Sequence, residues 1–248
     1  MSFTYGQVLR SGLIVMAADR AVRRTLPFSG PGMRGSIFAH GDIQKLFVTK
    51  NNIGITSGGT SKDMTLVPTL AERVFEAIRN IDIEKYRTPL DIARYLVEFT
   101  KYHDSTARYV FTVGGHDLTG SKPKPVLYEA DTLKPSEAAS KMTGADRDGI
   151  CLVNNGRRVA DIAINTLHPK INSEIIFPNA GKIGNCNKQG AMDFALFAAG
   201  ETRKFLRLHD GQVIYDKVLD INSVSREIDI LAIYHDRHEW QRRDADAV

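Results

Sequence analysis

The order of the predicted elements indicates a mixed α/β (α+β) chain, a four-layer αββα sandwich in which two antiparallel β-sheets lie between layers of helices. Two observations support this fold class. Antiparallel hairpins alternate along the chain with helices in consecutive pairs. Residues 13–18, LIVMAA, are continuously apolar, which is typical of a strand buried on both faces.

The composition describes a soluble globular protein. Of the 248 residues, 42% are apolar and 25% are charged, so we expect one domain over residues 1–236 and a solvated, frayed charged tail over 237–248. The net charge is +4, but the basic residues are scattered without interleaved aromatics, which argues against a nucleic-acid partner. Cys151 and Cys186 fit no metal-ligand spacing and favour reduced thiols. No apolar run spans a bilayer, so we expect a cytoplasmic protein without a membrane partner.

The first half of the chain is predicted to begin with two strands over residues 2–19, joined at a turn that ends in Gly12. Residues 20–40, rich in Gly and Pro, are interpreted as a long loop, a candidate flap. Two short strands over 44–48 and 53–56 follow, and Ser57-Gly58-Gly59 breaks the second one. Helices are predicted over about 61–80 and over 89–103, the latter with Thr88 as N-cap.

The second half is predicted to contain strands over 107–113 and 125–131, a loop over 132–148, and a buried strand over 149–153. A helix over about 157–167 and an irregular stretch over 168–187 come next. The remaining predicted elements are a helix over 188–208 and strands over 213–219 and 228–234.

Residues 42–65 combine a Lys on the first of two short strands with a bare Gly backbone at the end of the second. Lys45 and Gly59 are positioned to face the same space, while Asp19 is a carboxylate at the end of an apolar strand. A cation beside free backbone N–H groups stabilises negative charge that develops on an attacked carbonyl oxygen. The alternative is a plain hairpin with a surface Lys and a Gly-Gly turn.

Four segments in a fixed order carry a resemblance that covers nearly the whole chain. They are GLIVMAAD, QKLFVTKNNIGITSGGTSKDMT, VFTVGGHD before PVLYEAD, and DINSVSREIDILAIYHD. In these segments the chain resembles the proteasome β subunit and its bacterial relative HslV, which are N-terminal nucleophile (Ntn) hydrolases with an αββα sandwich. The resemblance implies that residues 20–40 and 168–187 are insertions.

The resemblance also implies site residues. Asp19 matches the Asp that ends the second strand in the family, and Lys45 matches the Lys that lies beside the nucleophile. Gly59 matches the Gly whose backbone N–H faces the oxyanion. Asp220 and Ser223 match a pair that orients the N-terminal residue. In the family the first residue of the mature chain attacks, and its own α-amine, with an ordinary pKa of about 7.7–8.0, serves as base.

The nucleophile departs from the family pattern, in which it is usually Thr. Ser2 is the preferred candidate, because Met1 before a small residue is ordinarily removed, which exposes a free amine. Thr4 would require the loss of three residues. With Phe3 in the nucleophile's place the protein would be inactive. The family's Arg two residues after the strand-end Asp is Ala21 here.

These resemblances imply a proteasome-like peptidase or amidase acting through an acyl-enzyme on Ser2, without a metal or organic cofactor. Its partners would be a peptide or protein substrate, further copies in a ring, and an ATP-dependent unfoldase. Two alternatives stay open. One is a catalytically inactive structural subunit, and the other is an Ntn-fold amidase or transpeptidase of different specificity. A deep pocket near Ile43, Phe47 and Ser57 would favour the latter.

Overall fold

The computed structural model describes residues 3–30, 33–60, 69–133, 140–141, 149–154, 187–208, 213–214, 217–218 and 224–245. These residues form fourteen strands and three helices, and every strand pair among them is antiparallel. Within this described part, no helix is long and apolar enough to cross a membrane. The chain is therefore mixed α+β with antiparallel sheets, as the sequence predicts.

The first five-stranded sheet has the order β10-β1-β2-β13-β14. Its strands are β1 (Phe3–Val8), β2 (Ile14–Asp19), β10 (Gly149–Asn154), β13 (Glu227–Ile233) and β14 (His238–Asp244). All six residues of β2 are buried, which confirms the interpretation of its apolar run. Gly12 in the β1–β2 turn has φ +85°, a conformation that favours glycine.

The second five-stranded sheet has the order β5-β6-β7-β8-β9. Its strands are β5 (Leu46–Val48), β6 (Gly54–Thr60), β7 (Arg108–Asp117), β8 (Lys124–Asp131) and β9 (Ser140–Lys141). Asn52, with φ 59°, lies in the predicted turn between β5 and β6. Contrary to the prediction, Ser57-Gly58-Gly59 does not end the strand, because β6 stays paired with β7 through Thr60.

Residues 20–40 are not a loop. They contain β3 (Ala21–Gly30) and most of β4 (Met33–Asp42), which pair over ten registered positions as a separate two-stranded sheet, here called the ribbon. Pro27 and the glycines suggested irregular structure. Among the described residues each strand of the ribbon pairs on one side only, and a proline whose nitrogen faces the unpaired side breaks no ladder.

The three helices are α1 (Leu70–Arg79), α2 (Pro89–His103) and α3 (Lys188–Leu208). The bounds of α2 and α3 are as predicted, and Thr88 caps α2 in a capping box with Asp91. Helix α1 begins at Leu70 rather than near Ser61, because Thr69 has an extended conformation and accepts a hydrogen bond from the Glu72 N–H.

The two sheets pack face to face as a sandwich. Ile14, Met16 and Leu231 of the first sheet form one buried cluster with Leu46 and Leu127 of the second. A second cluster joins the outer face of the first sheet to α3, and a third joins the outer face of the second sheet to α1 and α2. The approach between sheets is close: a Cβ on Gly54 would lie 2.6 Å from the Met16 sulfur.

The end of the chain differs from the prediction in two places. The expected strand over 213–219 is instead a short pair, β11 (Val213–Ile214) and β12 (Lys217–Val218). The expected frayed tail is wrong for His238–Asp244, which pair with β13 as the edge strand β14. The proposed division at residue 236 stays a prediction. The predicted helix over 157–167 and the stretch 168–186 lie outside the described residues.

Candidate functional site

A buried ion pair lies at one end of the sandwich. Asp19 ends β2 and Lys45 directly precedes β5, and the Lys45 Nζ lies 3.0 Å from both carboxylate oxygens of Asp19. The Asp19 side chain is fully buried and that of Lys45 is 4% exposed. The pair therefore joins the two sheets across the sandwich in a region shielded from water.

The Asp19 carboxylate also accepts three backbone hydrogen bonds. The Phe3 N–H donates to Oδ1 at 2.7 Å, and the N–H groups of Ala21 and Ser225 donate to Oδ2 at 2.9 and 3.3 Å. These donors come from the start of β1, the start of β3 and the segment before β13. One carboxylate thus holds together the segments that surround the candidate site.

Burial lowers the pKa of the Lys45 ammonium, and the Asp19 charge partly opposes this effect. Lys45 also accepts, through its carbonyl oxygen, a hydrogen bond from the Ser57 N–H at 3.1 Å. This contact extends the β5–β6 ladder by one residue and fixes the backbone from which the ammonium reaches Asp19. The arrangement supplies a positioned cation at the end of the sandwich.

Gly59 lies near the end of β6, at the same end of the sheet as Lys45. Leu46 is the register partner of Thr56 and Lys45 bonds to Ser57, which is two residues before Gly59. A Cβ at Gly59 would lie 2.5 Å from the Arg108 carbonyl oxygen and 2.6 Å from the Tyr109 ring. The glycine is therefore required for the close approach of β7.

The structure brings Asp19, Lys45 and Gly59 to the same end of the sandwich, and their role in catalysis stays a prediction. Ser2, Asp220 and Ser223 lie outside the described residues. The alternative nucleophile Thr4 is a fully buried residue within β1, paired with both β2 and β10, and its hydroxyl has no hydrogen-bond partner among the residues that the structure describes. Exposing Thr4 as a chain start would remove Phe3 and its bond to Asp19.

Sequence reasoning missed an ionic network beside this pair. The Arg20 guanidinium donates to Asp42 at 2.6 Å and to Asp229 at 2.8 Å, and Arg242 donates to Asp229 at 2.9 Å. The Arg20 N–H also donates to the Ser225 hydroxyl at 2.7 Å. A charged residue in an apolar strand, such as Asp229 in EIDILAI, is the only local signal for such a network.

His116 lies in β7, and its Nε2 is 2.9 Å from the Gly12 carbonyl oxygen. It lines a cavity of about 430 Å³ together with Gly12, Pro123, Tyr234 and others. This cavity lies at the opposite end of β2 from Asp19, away from Ile43, Phe47 and Ser57. Within the described ranges, no three His, Cys, Asp or Glu residues are placed to hold a metal ion.

Comparisons with known proteins show the fold. No family model matches the chain, and no curated protein matches it. Among similar solved structures is an Anbu Gly-1 mutant from Hyphomicrobium sp. strain MC1, with a TM-score of 0.60 and 14% identity over 99% of this chain and 88% of that one. Another is Anbu, described as an ancestral beta-subunit, from Yersinia bercovieri, with a TM-score of 0.56 and 13% identity over 96% and 86% of the two chains.

The family assignment made from the sequence is therefore wrong. The sequence segments indicated the proteasome β subunit and HslV, but the matching structures named above are Anbu proteins, and no family model supports the assignment. The short segments contain the apolar and glycine positions that the fold requires. Such positions are shared by different families with the same fold, so they do not tell one family from another. The chain has the proteasome-like fold of the Anbu proteins.

Proposed function

We propose that this protein is an N-terminal nucleophile hydrolase that cleaves peptide or amide bonds through Ser2 after removal of Met1. The observation that carries the proposal is the buried Asp19–Lys45 pair, because its carboxylate also binds the Phe3 N–H at 2.7 Å. Ser2 is one peptide bond from that nitrogen. The Ser2 hydroxyl is proposed to act beside the Lys45 ammonium.

The proposed reaction proceeds in two steps. The Ser2 α-amine takes the hydroxyl proton while the oxygen attacks the carbonyl carbon, and the C–N bond then breaks as the leaving amine receives that proton. Water hydrolyses the resulting ester and regenerates the hydroxyl. Lys45 supplies positive potential beside the attacking oxygen, and the Gly59 N–H is proposed to bind the oxyanion. Asp220 and Ser223 are proposed to orient the α-amine.

The buried location of the pair supports this chemistry. Interactions between charges strengthen as water is excluded, so one ammonium at the end of the sandwich stabilises developing negative charge more than an exposed Lys would. Asp19 accepts five hydrogen bonds, three from backbone N–H groups and two from the Lys45 Nζ, and so fixes the position of that ammonium. A positioned cation requires no reorganisation during the reaction.

We also propose that the protein self-associates. The support is the likeness to the Yersinia bercovieri Anbu protein, an ancestral beta-subunit, at a TM-score of 0.56. Light scattering coupled to size-exclusion chromatography should give a mass of several times 27.5 kDa. A monomer at micromolar concentration would contradict self-association without bearing on the proposed chemistry.

The mechanism is tested by the intact mass of the protein expressed without an N-terminal tag. A mass lower by one Met is expected, and Ser2→Ala should then abolish hydrolysis of unstructured peptides while permitting the same Met removal. Ser11→Ala, in the turn at the opposite end of β2, is the matched control and should retain full activity. Retention of Met1, or activity that survives in Ser2→Ala, would overturn the mechanism.

A further inference from the structure

Strand β14 is the edge strand of the first sheet. It pairs with β13 along His238–Asp244, and within the described part of the chain no strand lies on its other side. Trp240, a large aromatic residue in the middle of this strand, is 39% exposed. An open edge that carries an exposed aromatic side chain is a place where a further strand can add to the sheet.

The backbone of β14 alternates between β13 and the open edge. At the two ends of the ladder the Tyr234 N–H donates to the Arg237 carbonyl oxygen at 2.8 Å, and the Ala245 N–H donates to the Arg226 carbonyl oxygen at 2.9 Å. In an antiparallel ladder every second pair exchanges both hydrogen bonds. The odd-numbered residues of β14 therefore bond to β13, and the even-numbered ones direct their N–H and C=O groups to the open edge.

The sequence of β14, HEWQRRD, is complementary to itself in the antiparallel direction. A two-fold axis through Gln241 would bring two copies of the strand together in three kinds of pair, each occurring twice. These pairs are Glu239 with Arg243, Trp240 with Arg242, and His238 with Asp244. Opposite charges across two strands stabilise a sheet, and an arginine beside a tryptophan ring adds a cation–π contact.

Sheet geometry restricts the register to this one. Residues that stand opposite each other in a sheet share a face, so a two-fold axis between two copies of β14 passes through a residue and not between two. An axis through any of its four charged residues would bring that residue opposite its own copy, and like charges there are destabilising. An axis through Trp240 would bring Arg243 opposite Arg237, and one through His238 would leave most of the strand unpaired. An axis through Gln241 pairs all seven residues without a like-charge contact.

The side chains of β14 are held beside the edge and keep exposed surface. Arg242 donates through Nε to Asp229 at 2.9 Å, and its side chain is 53% exposed. Arg243 donates to the Gln241 Oε1 at 3.0 and 3.1 Å. Charges on an edge strand often serve only to prevent association, but a strand with that role needs no matching order of opposite signs.

We propose that β14 pairs antiparallel with β14 of a second copy of this chain, about a two-fold axis through Gln241, so that the two first sheets become one continuous sheet. The occupant is a second copy because the complementary charges belong to the same strand. The inference rests on the proposed self-association, for which it names the surface, and it is independent of the proposed hydrolysis.

Charge reversal tests the pairing. Glu239→Arg replaces two opposite-charge pairs of the proposed interface by like-charge pairs, so sedimentation equilibrium should show self-association weakened about 10-fold or more. Arg243→Glu should have the same effect, whereas Glu239→Arg/Arg243→Glu exchanges the two charges and should restore the original mass. Glu98→Arg, the same change at an exposed position of α2, is the matched control and should leave the mass unchanged.

A disulfide tests the position of the axis without changing a charge. In the proposed pairing residue 241 stands opposite its own copy in a pair without hydrogen bonds, with Cα atoms about 4.5 Å apart, a distance that a disulfide spans. Mild oxidation should therefore convert most of the Gln241→Cys protein to a covalent dimer. Arg243→Cys is the matched control, since its two copies would lie about 13 Å apart along the strands. It should crosslink no more than the unsubstituted protein, which contains Cys151 and Cys186.

Three results would overturn the inference: equal crosslinking of Gln241→Cys and Arg243→Cys, equal masses of Glu239→Arg and Glu98→Arg, or no recovery in the charge-exchanged variant. The crosslink decides the question if a charge variant does not fold. A monomeric unsubstituted protein would overturn self-association and this inference together. An oligomer whose mass and crosslinking ignore β14 would overturn this inference alone, and an oligomer that hydrolyses no peptide would overturn only the proposed chemistry.

Discussion

The Phe3 backbone nitrogen lies 2.7 Å from the Asp19 Oδ1, the same oxygen that lies 3.0 Å from the Lys45 Nζ. The start of β1 and the buried ammonium are therefore coupled through one carboxylate. Any change at Asp19 affects both the charge balance of the interior and the hydrogen bond that holds the Phe3 N–H.

Replacement of Asp19 by Asn should lower the free energy of unfolding by about 3–5 kcal/mol, because Lys45 is left as a buried cation without its counter-charge. Urea denaturation at pH 7 measures this loss. Glu98→Gln, at an exposed position on α2, is the control and should change stability by less than about 0.5 kcal/mol. Asp19→Asn/Lys45→Met should be more stable than Asp19→Asn alone; an equally unstable double variant would contradict the ion-pair explanation.

The stability of the protein should depend on pH through Lys45. Its pKa in the folded state is lowered by burial, so between that value and the ordinary 10.5 the unfolded chain binds a proton that the folded protein does not. The free energy of unfolding should therefore rise with pH across this window, relative to that of Lys45→Met. Below the folded-state pKa the buried ammonium should destabilise the protein to its full extent. The difference in urea midpoints between the two proteins at successive pH values tests the sign. A difference that falls with pH would show that Lys45 is not destabilised by burial.

The kcat/KM of the active protein should decrease at high pH, and the pH of this decrease should be determined by Lys45. As the pH rises through the lowered pKa of Lys45, the ammonium loses its charge and kcat/KM should fall. Lys45→Arg should move this decrease to higher pH, because a guanidinium stays charged throughout the accessible range. If the decrease in kcat/KM occurs at the same pH in a folded, active Lys45→Arg protein, a group other than Lys45 is responsible for it.

Gly59→Ala should reduce the free energy of unfolding by about 1–3 kcal/mol, since its Cβ would overlap the Arg108 carbonyl oxygen at 2.5 Å. Gly120→Ala is the control, because the nearest atom to a Cβ there is 3.9 Å away. That substitution should be neutral or stabilising by up to about 1 kcal/mol through the unfolded state. Equal effects at the two positions would show that close packing against β7 is not the reason for Gly59.

Arg20 and Arg242 should be coupled through Asp229, whose side chain is 5% exposed. Arg20→Gln should lower the free energy of unfolding by about 1.5–3 kcal/mol, which is typical of losing a hydrogen bond to a charged group. Arg242→Gln should lower it by less than about 1 kcal/mol, because Arg242 is half-exposed. The double substitution should cost more than the sum, since Asp229 then keeps no cation. Strict additivity in urea denaturation would refute this coupling.

Local rules predicted the elements whose signals lie within a few residues. Thr88 and Pro89 mark the start of α2 because capping and a fixed φ act inside one turn. The ribbon was missed, since its ladder joins residues up to 21 positions apart and its Gly and Pro content is typical of loops. Strand β14 was missed for the same reason: the charged residues of HEWQRRD suit an exposed edge strand as well as a solvated tail.

By itself the sequence determined the buried strand β2 and the helices α2 and α3, because burial patterns and caps are encoded locally. It identified Asp19 and Lys45 only as separate candidate site residues. Only the tertiary structure decided that these two side chains meet at 3.0 Å, that the Phe3 N–H binds the same carboxylate, and that Asp229 pairs with Arg20 and Arg242. Those contacts join segments 13 to 209 residues apart, and their energy comes from burial and charge pairing that no single stretch of chain contains.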